Sequence, residues 1–140
     1  MLPVEDIARS LAYYHRVFGF EADYALEHVA LLRKGSASLF LVLESPPTSD
    51  KPDMTIARLV SKCVSPVNLT FRVDDVEALV ATLQSLEPAI VFLAPPERKP
   101  WGEVRVFTRD PDGYLIEFYQ ILDRNEQNAS AASGRERAHE

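Results

Sequence analysis

Glu117 is the residue in this chain that most needs a chemical explanation. It sits within Leu115-Ile116-Glu117-Phe118-Tyr119. Strand alternation places Leu115, Glu117 and Tyr119 on one face and Ile116, Phe118 and Gln120 on the other. A carboxylate flanked by apolar residues in mid-strand has two readings. It is a ligand or acid/base group in a concave site, or it is an edge carboxylate that faces solvent or pairs with Arg105 or Arg109. Trp101, the only tryptophan, lies in Pro100-Trp101-Gly102. It is either a core plug beneath its loop or an aromatic shelf for a planar or cationic ligand. Other side chains able to do chemistry are few. Cys63 stands alone with no histidine nearby in sequence, and reads as a small apolar residue rather than a nucleophile. His15, His28 and His139 lack the short spacing of a joint metal site.

Two strands and a turn must position Glu117. Before the turn, Val104, Val106 and Thr108 share one face, with Arg105, Phe107 and Arg109 on the other. In Asp110-Pro111-Asp112-Gly113, proline presets φ and glycine takes the exit geometry. Earlier in the chain, Ile7, Leu11, Tyr14 and Phe18 have helical spacing. Asp6 can cap that helix, Gly19 stops it, and Phe20 can fold back on its last turn. Strands follow over 21–27, 28–33 and 37–43. The apolar run Leu39 to Leu43 suggests a strand that is central or buried on both faces. A second set begins with a strand at Val67–Val73. Next come a helix bearing Val76, Leu79, Val80, Leu83 and Leu86, a strand at Ala89–Ala94, and the hairpin that carries Glu117.

The two halves therefore share one order. Val4-Glu5-Asp6-Ile7 echoes Val73-Asp74-Asp75-Val76, and Lys34-Gly35 echoes Asp112-Gly113. The reading is an α+β fold of two βαβββ modules that build a curved, mostly antiparallel half-barrel sheet, with one helix per module. The modules span 1–45 and 67–122. Residues 46–66 form a proline-rich linker, and 123–140 form a polar, frayed or disordered tail. Two half-sheets curling towards each other would make a concave ligand surface.

With 140 residues the chain can bury a real core, and its net charge of −6 argues against a nucleic-acid partner. It contains no apolar run long enough for a membrane span, and its start lacks a signal-peptide pattern. A cytoplasmic location is expected, in keeping with the single cysteine.

Leu2 to Tyr14, Phe18-Gly19-Phe20, Phe71-Arg72-Val73-Asp74-Asp75-Val76, Pro100-Trp101-Gly102, Asp110-Pro111-Asp112-Gly113 and Ile116-Glu117-Phe118 together resemble the vicinal oxygen chelate superfamily. That group holds glyoxalases, fosfomycin-resistance proteins, extradiol dioxygenases and bleomycin-resistance proteins. The opening Leu-Pro-Val-x-Asp and the Pro-Trp-Gly look most like the bleomycin-resistance branch. Those proteins are dimers that bind a drug in crevices at the subunit interface. The resemblance implies metal positions on the first and last strands of each module. Here they fall on Asn68 and Glu117 in the second module. In the first, one falls on Phe40 and the other before Met1. Only Glu117 is a good ligand, so no metal and no other cofactor is expected.

The resulting expectation is a metal-independent homodimer that binds a small aromatic or cationic molecule, with an antibiotic-resistance role implied by the resemblance. Trp101, Gly102, Phe40, Asn68, Phe71, Phe107 and Tyr119 would line its site. The alternative is a glyoxalase-like lyase, isomerase or dioxygenase that uses Glu117 as its catalytic group, with a divalent metal. The first strand is limited to Leu2–Val4, so its sheet edge is either covered by a neighbouring subunit or left short, and the pairing liability of an open edge favours a dimer.

Overall fold

The computed structural model describes residues 1–59 and 67–123. Cys63, His139 and most of the expected tail lie outside them. The first half contains β1 (Leu2–Pro3), α1 (Ile7–Phe18), β2 (Glu21–Ala25), β3 (Val29–Lys34) and β4 (Ala37–Val42). The second contains β5 (Asn68–Arg72), α2 (Val76–Leu86), β6 (Glu97–Lys99), β7 (Glu103–Arg109) and β8 (Leu115–Ile121). Each half is a βαβββ unit with its own four-stranded sheet, ordered β1-β4-β3-β2 and β5-β8-β7-β6. In each sheet the first strand runs parallel to the last, and the remaining pairings are antiparallel.

The local chemistry of the helices matches the sequence. Asp6 and Asp75 are the N-caps, and their carboxylates accept from the backbone N–H of Arg9 and Ala78. Gly19 takes a left-handed φ of 75° after α1, and Phe20 N–H returns to the Tyr14 carbonyl at 3.2 Å. Two strand expectations change. The 89–94 segment makes only an isolated bridge between Phe92 and Thr108, and the regular strand begins at Glu97. Pro95 and Pro96 lack the N–H groups a continuous ladder needs, so pairing with β7 becomes regular only after them. β4 is central in its sheet, but it is not buried on both faces: Leu41 is fully buried while Phe40 is 36% exposed.

The sheets are not closed into one surface within the chain, and among the described residues no strand of one is hydrogen-bonded to a strand of the other. Helix α1 joins them. It lies on β3 and β4 and sends Phe18 onto the second sheet, with ring centroids 4.7 Å from Phe71 and 5.5 Å from Phe118. Ala30, Leu32 and Leu41 belong to the same core as Val104, Val106, Ile116 and Phe118. Both sheets thus turn their buried faces towards the helices, and their opposite faces stay open.

The turn at Asp110–Gly113 ties the halves together. Tyr14 Oη donates to Asp110 Oδ2 at 2.6 Å, and the same carboxylate accepts from the backbone N–H of Asp112 and Tyr114. Asp112 accepts from Glu5 N–H, Arg9 Nη2 and Ser10 Oγ. Tyr114 Oη reaches the Pro3 carbonyl at 2.6 Å. Burial pushes the Asp110 carboxyl above its ordinary range, and the Tyr14 hydrogen bond opposes that shift. Burial also raises the Tyr14 hydroxyl, with the Asp110 charge adding to it.

Tyr14→Phe therefore removes a hydrogen bond to a charged, buried acceptor, and should cost about 1.5–3 kcal/mol at neutral pH. The variant's folded Asp110 pKa lies higher still, so its deficit grows as pH rises through the carboxylate range and shrinks below it. Urea denaturation of both proteins across that range checks the size and the sign.

Candidate functional site

The open face of the second sheet collects most of the residues singled out in the sequence. Glu117 stands mid-way along β8, opposite Phe107 on β7 and Thr70 on β5. Tyr119 lies opposite Arg105 on one side and Arg72 on the other. Because paired residues share a face, Glu117, Tyr119, Phe107, Arg105, Thr70 and Asn68 all point away from the core. Glu117 is shielded, its side chain 15% exposed. Asn68 lies one pleat away and donates from Nδ2 to Thr70 Oγ1 at 3.1 Å. Thr70, not Asn68, is the direct neighbour of Glu117.

Trp101 borders this face. It is 62% exposed, which excludes the core-plug reading. Its Nε1–H donates to Glu103 Oε2 at 2.9 Å, which fixes the indole edge. Gly102 is buried with φ 89°; its N–H goes to the Lys99 carbonyl and its own carbonyl accepts from Leu122 N–H. Both of its polar backbone groups are thus engaged inside the chain. Its role here is to make a turn that any side chain would strain.

Arg105 is the residue that sequence reasoning underrated, naming it only as a partner for Glu117. Its guanidinium carbon lies 5.7 Å from the Trp101 ring centroid and 5.5 Å from that of Phe107. Nη1 is 3.9 Å from Glu117 Oε1, an ion pair beyond hydrogen-bond distance. Arg105 Nε is buried with no acceptor. Trp101, four residues before Arg105, and Phe107, two after it, were visible in the sequence; that the Arg105 guanidinium lies over both rings was not. Nearby, Lys99 Nζ donates to Glu97 at 2.8 Å and holds that carboxyl below its usual range.

Two expected site residues lie elsewhere. Phe71 faces the core, stacked on Phe18, so it cannot line this surface. It alternates with Thr70 and Arg72, and the register with β8 turns it the other way. Phe40 sits on the open face of the first sheet, opposite Leu31, and is not brought to Glu117 within one chain. His15 Nδ1 lies 2.7 Å from the Phe20 carbonyl at the end of α1. Among the described residues no three His, Cys, Asp or Glu side chains are grouped to hold a metal. The group beside Glu117 is a guanidinium, which competes for the carboxylate a metal would need.

A cavity of about 630 Å³ opens elsewhere, between α1 and residues 89–93. It is floored by Tyr13 and bordered by the Arg16–Glu87 ion pair, whose atoms are 2.6 Å apart. Arg109 and the turn residues Asp110 and Pro111 also line it, whereas Glu117, Trp101 and Arg105 do not, and its volume alone does not define a site.

Residues 1–118 match the Glyoxalase/Bleomycin resistance protein/Dioxygenase superfamily, and the chain belongs to it. No curated protein gives a significant sequence match. Solved structures agree on the fold. A lactoylglutathione lyase from Agrobacterium tumefaciens is 25% identical, with a TM-score of 0.64 over 85% of this chain and 88% of its own. A bleomycin resistance determinant encoded on the transposon Tn5 is 22% identical, with a TM-score of 0.60 over 86% and 92%. A bleomycin-binding protein complexed with bleomycin is 22% identical, with a TM-score of 0.58 over 85% and 92%.

The opposite placement of two phenylalanines gives a test. Phe71→Ala should cost about 3 kcal/mol of stability, because it opens the ring stack between α1 and the second sheet. Phe107→Ala should cost under about 1 kcal/mol, since that ring lies on the open face. Urea midpoints of the two variants measure the contrast.

Proposed function

We propose that this protein binds a small planar molecule on the open face of the second sheet, without a metal, as a homodimer. The observation that carries the reading is the stack of Trp101, Arg105 and Phe107 beside Glu117. Aromatic surface left exposed next to a fixed polar group is the usual composition of a ligand face. Two bleomycin-related neighbours with the same fold support a binding role. The Arg105–Glu117 pairing supports metal independence, because the cation that neutralises Glu117 comes from the chain itself.

What one chain leaves uncovered supports the homodimer. Tyr24 is 42% exposed and Phe40 36% exposed on the first sheet, and Trp101 62% exposed on the second. The helices separate these faces within one chain. A second copy can lay its first sheet over the second sheet of its partner, which encloses the ligand between Phe40 of one subunit and Trp101 of the other. The competing reading is a metal-dependent lyase or isomerase that uses Glu117. It draws on the likeness to a lactoylglutathione lyase.

Two measurements separate the readings. Protein purified without chelator should carry far less than one zinc, nickel, manganese or iron per chain; a stoichiometric metal lost in Glu117→Gln would favour the enzyme. Titration with bleomycin-like and simpler planar aromatic compounds should quench Trp101 fluorescence, and Phe107→Ala should weaken binding about tenfold. Fluorescence that stays flat for every compound would remove the binding reading.

A further inference from the structure

The Trp101 ring already carries a cation. Arg105 lies over it and over Phe107, at 5.7 and 5.5 Å. A ligand cation would therefore meet a ring face already engaged by a guanidinium, and a like charge beside it. From this arrangement we infer that the ligand of this face is a planar aromatic acid, bearing a carboxylate, phosphate or sulfonate that Arg105 recognises. The inference rests on the small-molecule reading above and names its ligand class.

Three features of the face support it. First, Arg105 is incompletely satisfied. Its Nε is buried without an acceptor, and its nearest carboxylate oxygen, on Glu117, is 3.9 Å from Nη1. A guanidinium in a partly apolar setting that lacks hydrogen bonds gains from an oxyanion able to accept from its planar fork. Second, two neighbouring carboxylates each hold a hydrogen-bond donor of their own, although Glu97, opposite Arg105 on β6, also feels its charge. Glu103 accepts from Trp101 Nε1–H and Glu97 from Lys99 Nζ. Third, the geometry suits a flat molecule. The rings flanking Arg105 offer apolar surface beside its charge, so one ligand can stack and place its acid group on the guanidinium. The Arg105 side chain as a whole is 31% exposed, so a ligand can approach it, although not at the buried Nε.

The test is a matched series on the intact protein: naphthoate, naphthamide and naphthylmethylammonium, with affinities measured by calorimetry. The ring is constant and only the charge changes. Naphthoate should bind about tenfold or more tightly than naphthamide, with naphthylmethylammonium weakest. In Arg105→Met the series should level, with naphthamide affinity retained. Arg105→Lys keeps the charge but loses the fork, and should fall between the two. If naphthylmethylammonium binds as tightly as naphthoate, or if Arg105→Met keeps the preference for the acid, the ligand class is wrong while small-molecule binding stands. If none of the three binds, the ligand class fails, and the small-molecule reading fails with it only when the fluorescence titrations above also stay flat.

Discussion

The fold depends on the buried hydrogen bond between Tyr14 and Asp110. One partner is in the first helix and the other begins the turn before the last strand, so the bond crosses from one half of the chain to the other. Asp110 could not remain buried with its charge unless its oxygens were occupied, and three donors occupy them. The turn therefore does more than reverse the chain. Asp112, two residues on, grips the start of α1 through Glu5, Arg9 and Ser10. Between them these carboxylates set how α1 lies, and α1 is the element that puts Phe18 against Phe71 and Phe118.

Once the helices occupy the space between the sheets, the fate of the other faces follows. Each strand has two faces, and one is committed to the shared core. A polar group that is not satisfied on the core side, as Thr108 and Gln120 are, projects from the other. That is why Glu117, Arg105 and Phe107 share a surface with Tyr119 and Asn68, and why Phe71 cannot join them. The same constraint keeps Phe40 apart, since it belongs to the open face of the other sheet. A site containing both Phe40 and Trp101 requires two copies, which is the physical basis of the proposed dimer.

The charge arrangement on the second sheet shifts attention from Glu117 to Arg105. A lone carboxylate in mid-strand suggests a metal ligand or a base. With a guanidinium 3.9 Å away, it also serves as the counter-charge of a cation that lies over two aromatic rings. The ion pair is partly exposed and long, so it contributes little to stability. Its greater effect is on what the face can attract.

Much of this protein was legible in the sequence because it rests on local rules. Helical spacing, the aspartate caps, the Gly19 stop and the strand alternation around Glu117 are all set by neighbouring residues, and the structure follows them. The repeated βαβββ order was visible for the same reason. The strand at 89–94 was misplaced because apolar content there outweighed the two prolines that follow. What the sequence could not give was the partner of each surface. Alternation shows that Thr70 and Phe71 point opposite ways, but only the register with β8 and the position of α1 decide which one meets the core. Nor can spacing show that Asp110 accepts from Tyr14, ninety-six residues away, or that Arg105 lies over both Trp101 and Phe107. Those contacts depend on long-range packing of separate elements, and tertiary structure alone fixes them.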